Sequence, residues 1–174
     1  MEAFIESGMT FGPYREGDCF RIETSAVYQA IQQNLQMAEF LLLRNEEGKP
    51  PVVWIVEAKQ SSPRPETQPN FDEFMGEIRE KLSNALGLGI ASILKRHPLA
   101  VAELPDPFRN LGLDTADFRL VLIINGHQNA WLAPLQDALR RELHPVIKTW
   151  ALGPNAVIAI NHERAKQLGL TSAP

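Results

Sequence analysis

Leu41, Leu42 and Leu43, followed by Val52, Val53, Trp54, Ile55 and Val56, make two runs that are apolar at every position. Side chains alternate across a strand, so such runs need cover on both faces of a sheet. They predict two adjacent central strands, Glu39 to Arg44 and Val52 to Lys59, joined by turn chemistry at Asn45 to Gly48. Helices on both sides are the usual source of that cover, which places the chain among α/β folds.

The remaining pattern fits this class. Apolar spacing from about Cys19 to Gln33 predicts a first helix with Asp18 as its N-cap. Glu23 falls in the apolar stripe of that helix, where a carboxylate needs a partner, a metal or an outlet to water. A long helix is expected from about Phe71 to Lys95, with Asn70 and Glu73 spaced as a capping box. A buried strand over Phe118 to Asn125, a helix over Trp131 to Leu143, a strand over Ala156 to Asn161 and a short helix over Glu163 to Leu168 complete the order. The Pro-rich stretches Ser61 to Pro69 and Pro98 to Pro107 read as surface loops, and neither divides the chain. Residues 1–174 are therefore expected to form a single domain, a mixed β-sheet flanked by helices.

Charge and cysteine usage narrow the classes further. The net charge of −4 argues against a general nucleic-acid binder, which usually carries a basic footprint. An enzyme that arranges acids around divalent cations can still be acidic overall. No apolar run approaches the ~20 residues that span a bilayer, so no membrane partner is expected. The single cysteine, Cys19, fits a reducing cytoplasm. Met1 to Phe11 carries acids in place of the basic and apolar regions of a signal peptide.

Chemistry concentrates at Glu57-Ala58-Lys59, the end of the second apolar strand. Strand alternation puts the Glu57 carboxylate and the Lys59 ammonium on one face, with Ala58 opposite. If Arg44 opposes Val52, antiparallel pairing brings Glu39 opposite Glu57, and other in-phase registers keep it on the same face. Facing carboxylates repel, and a divalent cation with oxygen preference, Mg²⁺ or Mn²⁺, turns that repulsion into attraction. The bland alternative is a salt bridge at a sheet end, since Glu-x-Lys is short and arises by chance. Lys81, one turn after Glu77, could face the same site or form an ordinary i,i+4 pair. The histidines are dispersed, and no Gly-rich phosphate loop follows a strand.

The order Glu23, Glu39, Glu57-Ala58-Lys59 resembles the PD-(D/E)XK phosphodiesterase superfamily, over about Asp18 to Lys95. Glu39 stands where that pattern usually has Asp and follows Ala38 where it has Pro. The resemblance implies a restriction-endonuclease-like core and Mg²⁺-dependent hydrolysis of nucleic acid, with DNA favoured over RNA. Glu39 and Glu57 would coordinate metal, with the Ala58 carbonyl and Glu23 as further ligands. Lys59 would orient or help activate the attacking water, and Gln60 could touch the same water. A homodimer or a larger complex is expected for so small a domain. The alternative is a nuclease-fold binding or assembly subunit without chemistry.

Overall fold

The computed structural model describes residues 1–172. In chain order the elements are strands β1 (Phe4–Glu6), β2 (Met9–Phe11) and β3 (Cys19–Phe20), a 3₁₀ turn (Ile22–Thr24), helix α1 (Ala26–Gln29), strands β4 (Phe40–Arg44) and β5 (Val52–Lys59), and helices α2 (Asn70–Ile93), α3 (Pro98–Glu103) and α4 (Asp106–Arg109). Strand β6 (Asp117–Ile124), a 3₁₀ turn (Asn129–Trp131), helices α5 (Leu132–Glu142) and α6 (His144–Thr149), strand β7 (Val157–Asn161) and helix α7 (His162–Gln167) follow. They build one compact α/β unit on a mixed five-stranded sheet ordered β3-β4-β5-β6-β7. The β3–β4 and β4–β5 pairs are antiparallel, and β5–β6 and β6–β7 are parallel.

The two apolar runs are central strands with cover on both faces, as the sequence requires. Leu41, Leu43, Val53 and Ile55 pack into one core with Ile78, Leu82 and Ala85 of α2 and Leu135 and Leu139 of α5. Leu42, Trp54 and Val56 pack on the opposite face with Met9 and Phe11 of β2 and Ala165 of α7. Phe40 is fully buried there and meets the rings of Phe4, Phe11 and Tyr14 at 5.2–6.1 Å. Gly89 lies in the buried face of α2 at its contact with β4, and a Cβ there would meet Leu41 Cδ1 at 2.9 Å. No helix among the described residues is long and apolar enough to cross a membrane.

Several expectations are corrected. The helix expected over Cys19 to Gln33 does not form: Cys19 and Phe20 pair with Leu42 and Leu41 as an edge strand. Only Ala26–Gln29 is α-helical, capped by Ser25, whose side chain accepts from the Tyr28 amide. The Asn70–Glu73 capping box is absent, because Asn70 is already helical. The Glu73 amide, which the Asn70 side chain would serve in such a box, donates instead to the Pro69 carbonyl. Pro98 to Pro107 is not a plain loop; it holds α3 and the start of α4, each with proline in its first turn.

A further hairpin, β1–β2, is absent from the elements expected, and its tip reaches the end of β5. Ser7 and Gly8 both have positive φ, +49° and +73°, the backbone of a tight two-residue hairpin turn. The tip docks on the sheet: Ser7 Oγ donates to the Ala58 carbonyl at 2.9 Å, and Asn125 Nδ2 donates to the Ser7 carbonyl at 3.0 Å. A Cβ on Gly8 would lie 2.9 Å from that Asn125 nitrogen. Gly8→Ala is therefore expected to cost about 1–3 kcal/mol, from the left-handed backbone and the contact together. Thermal unfolding checks this, and an unchanged melting temperature would mean that the tip is not docked.

Candidate functional site

The C-terminal end of β5 gathers the charged residues. Of the in-phase registers the structure takes Arg44↔Val52, and the ladder closes at Phe40↔Val56, one residue short of Glu39. Glu39 is thus the residue entering β4, its amide donating to the Val56 carbonyl at 3.0 Å. Glu57 is fully buried and Glu39 is 5% exposed. Taking such groups out of water is costly unless each finds compensation.

Glu57 finds part of it on α2. Its Oε1 accepts from Lys81 Nζ at 3.0 Å and lies 3.4 Å from Lys59 Nζ. Lys59 Nζ in turn donates to Glu77 Oε1 at 2.6 Å. Glu77 and Lys81, one helical turn apart, thus reach across to β5 separately. Glu57 Oε2 and Glu39 Oε2 are buried without a hydrogen-bond partner.

Glu39 belongs to a second group. One carboxylate oxygen from each of Glu6, Glu23 and Glu39 lies within 4.8 Å of the others. Glu23 comes from the 3₁₀ turn and Glu6 from the end of β1. Arg21 is the cation beside them, its Nη2 3.5 Å from Glu6 Oε2 while its guanidinium stacks 4.1 Å from the Phe4 ring. Of the sequence candidates, Glu23 and Glu39 therefore share one cluster, and Glu57 and Lys59 share the adjoining one. Glu6 is not among those candidates. The alternation of Phe4-Ile5-Glu6 and Met9-Thr10-Phe11 about a Ser-Gly pair is the sequence signal that points to it.

Proton affinities follow from this packing. Burial, then the adjoining Glu23 carboxyl and the charges of Glu57, Glu23 and Glu6, push the Glu39 carboxyl well above the usual carboxylate range. Burial also raises Glu57, while Lys81 and Lys59 pull it back, leaving it at about 7. Burial works against the Lys81 ammonium, but the Glu57 carboxylate, with Glu39 and Glu23 behind it, outweighs that and holds its pKa above the ordinary lysine value. Glu6, Glu23 and Glu39 bring three carboxylate oxygens close enough that they could hold one divalent cation, while Glu57 Oε2 is a second unpartnered buried oxygen in the adjoining group. The Ala58 carbonyl accepts from Ser7 Oγ and keeps a second lone pair.

Arg64, His127 and Cys19 are engaged elsewhere. The Arg64 guanidinium stacks 4.1 Å from the Trp131 ring, and His127 meets the same ring edge-on. Cys19 is buried, and burial raises its thiol to about 12, which removes it as a nucleophile at neutral pH. Comparison with protein-family models, with curated proteins and with solved structures finds no match to this chain.

Proposed function

We propose that this protein hydrolyses phosphodiester bonds of nucleic acid, DNA before RNA, using divalent cation held at Glu39 and Glu57. The observation that carries this reading is the pair of unpartnered buried oxygens, Glu39 Oε2 and Glu57 Oε2, at the strand end that also presents Lys59. The antiparallel β4–β5 pair, α2 after it and β6 parallel to β5 suit a restriction-endonuclease-like core. In place of the helix that the superfamily pattern has before the hairpin, this chain has β3 and short turns.

Glu39 and Glu57 would bind the cation, with Glu23, Glu6 and the Ala58 carbonyl within the same strand-end region. Mg²⁺, or Mn²⁺ in its place, lowers the pKa of bound water and polarises a phosphoryl oxygen. Lys59 Nζ, tethered by Glu77, is fixed to donate to a phosphate oxygen or to orient the attacking water. Lys81 holds Glu57 Oε1 and so leaves Oε2 as the free ligand atom.

The Lys81 and Lys59 ammonium groups already balance Glu57 without any metal, which favours a second reading. Such balance suits a binding or assembly subunit that keeps the fold and lacks the chemistry. Calorimetric titration of the wild-type chain with Mg²⁺ and Mn²⁺, then incubation with single- and double-stranded DNA, separates the two. Cation binding with metal-dependent cutting is the expected result. Absence of binding would overturn the nuclease reading in favour of the second.

A further inference from the structure

Arg119 is the one charged residue in the run from Phe118 to Ile124 on β6, a strand with neighbours on both sides. It lies beside Trp54 in the parallel β5–β6 register, on the sheet face opposite α2. Arg44 approaches the same indole from β4. The two guanidinium carbons stand 5.0 Å (Arg44) and 5.4 Å (Arg119) from the ring centroid. Arg164 of α7 and Lys49, with apolar side chains of β5, β7 and the end of α7, join the two arginines in lining a cavity of about 380 Å³, within the size range of small-ligand sites. Glu46 is the only acid lining it, and it pairs with Lys49.

A chain of net charge −4 thus concentrates four cations against one carboxylate in a single concavity. The Trp54 floor is 5% exposed. An apolar floor under convergent charge focuses the field on whatever enters. The Arg119 side chain has no hydrogen bond or ion pair among the described residues. Arg44 commits Nη1 to the Leu168 carbonyl at 2.7 Å and Arg164 commits Nη1 to Gln167 at 2.7 Å, which leaves the other guanidinium donors available. Guanidinium forks match tetrahedral oxyanions in bidentate geometry, and this excess of charge suits an anion carrying more than one negative charge.

We propose that this pocket binds the terminal phosphate of a nucleotide, carried either by a free nucleotide or by the end of a nucleic-acid strand. The site lies across the sheet from Glu57 and stands independently of the hydrolytic reading. The full chain is titrated by calorimetry at fixed low salt with inorganic pyrophosphate, ADP, and one oligonucleotide with and without a 5′-phosphate. Binding of ADP supports the free-nucleotide source. Preference for the phosphorylated oligonucleotide without ADP binding supports the strand end. In either case Arg119→Gln and Arg164→Gln are each expected to weaken binding about tenfold or more, the loss of a charge-assisted hydrogen bond. Arg164 is exposed on α7, so its variant tests the pocket even if Arg119→Gln fails to fold. Glu57→Gln should leave this binding unchanged, which separates its failure from failure of the nuclease reading. Absence of binding by every probe, or affinity untouched by both arginine variants, overturns the proposal and leaves the guanidiniums as covers for Trp54.

Discussion

Replacing Lys59 by alanine should lower metal-dependent DNA cleavage by on the order of 10²–10³-fold while leaving cation binding in place, whereas Glu57→Gln should abolish both. The two residues sit two positions apart on one face of β5, yet they differ in what they can offer. Glu57 Oε2 is a buried acceptor with no partner, so its loss removes a ligand atom. Lys59 Nζ is a donor held 2.6 Å from Glu77, so its loss removes a positioned charge and spares the ligands. Cleavage rates with calorimetric binding for the same preparations check the split. Cutting that survives both substitutions would sink the mechanism.

Much of this site is legible in the sequence, and the reason is geometric. A strand has a period of two, so Glu57 and Lys59 share a face wherever β5 runs. Apolar residues at each position of Val52 to Val56 require a covered central strand. The Arg44↔Val52 register is not fixed by these facts, because strands that are apolar on both faces tolerate a slip and in-phase registers keep Glu39 on the same face; the structure supplies it. Glu39 is less secure: it enters β4 one residue outside the ladder and leans towards Glu23 and Glu6.

The misses share a different cause. Between Cys19 and Gln33, apolar residues spaced for a helix instead serve an edge strand, a 3₁₀ turn and one helical turn. Local spacing cannot distinguish these when each is under five residues long, and pairing of Phe20 with Leu41 decides the outcome. Pro98 and Pro107 suggest loops, although proline is equally at home in the first helical turn, where its missing N–H costs nothing. Glu6 and Ser7 reach the site only because β1 and β2 fold over Phe40, a long-range contact that no window along the chain contains.

Lys81→Met should be the most destabilising single change at the site, by about 3–5 kcal/mol and towards the lower end because Lys59 remains. Glu57 is fully buried, and Lys81, 14% exposed at its side chain, supplies its shorter ion pair. Removing that ammonium leaves a carboxylate inside the sheet with Lys59 alone, and Lys59 is shared with Glu77. For a chain of this size the loss corresponds to a fall in melting temperature of roughly 10 °C. Glu57→Gln combined with Lys81→Met should recover most of it, since the double change removes the orphaned charge together with its partner. Mg²⁺ should then raise the melting temperature of the Lys81→Met protein more than that of the wild type, because a ligand stabilises the state that binds it and Glu57 Oε1 there has lost its shorter ion pair. Thermal unfolding with and without Mg²⁺ reads both effects. Equal melting of Lys81→Met and wild type would show that the ion pair does not hold Glu57 in place. A metal response identical in the two would show that Lys81 does not compete for the oxygens a cation needs.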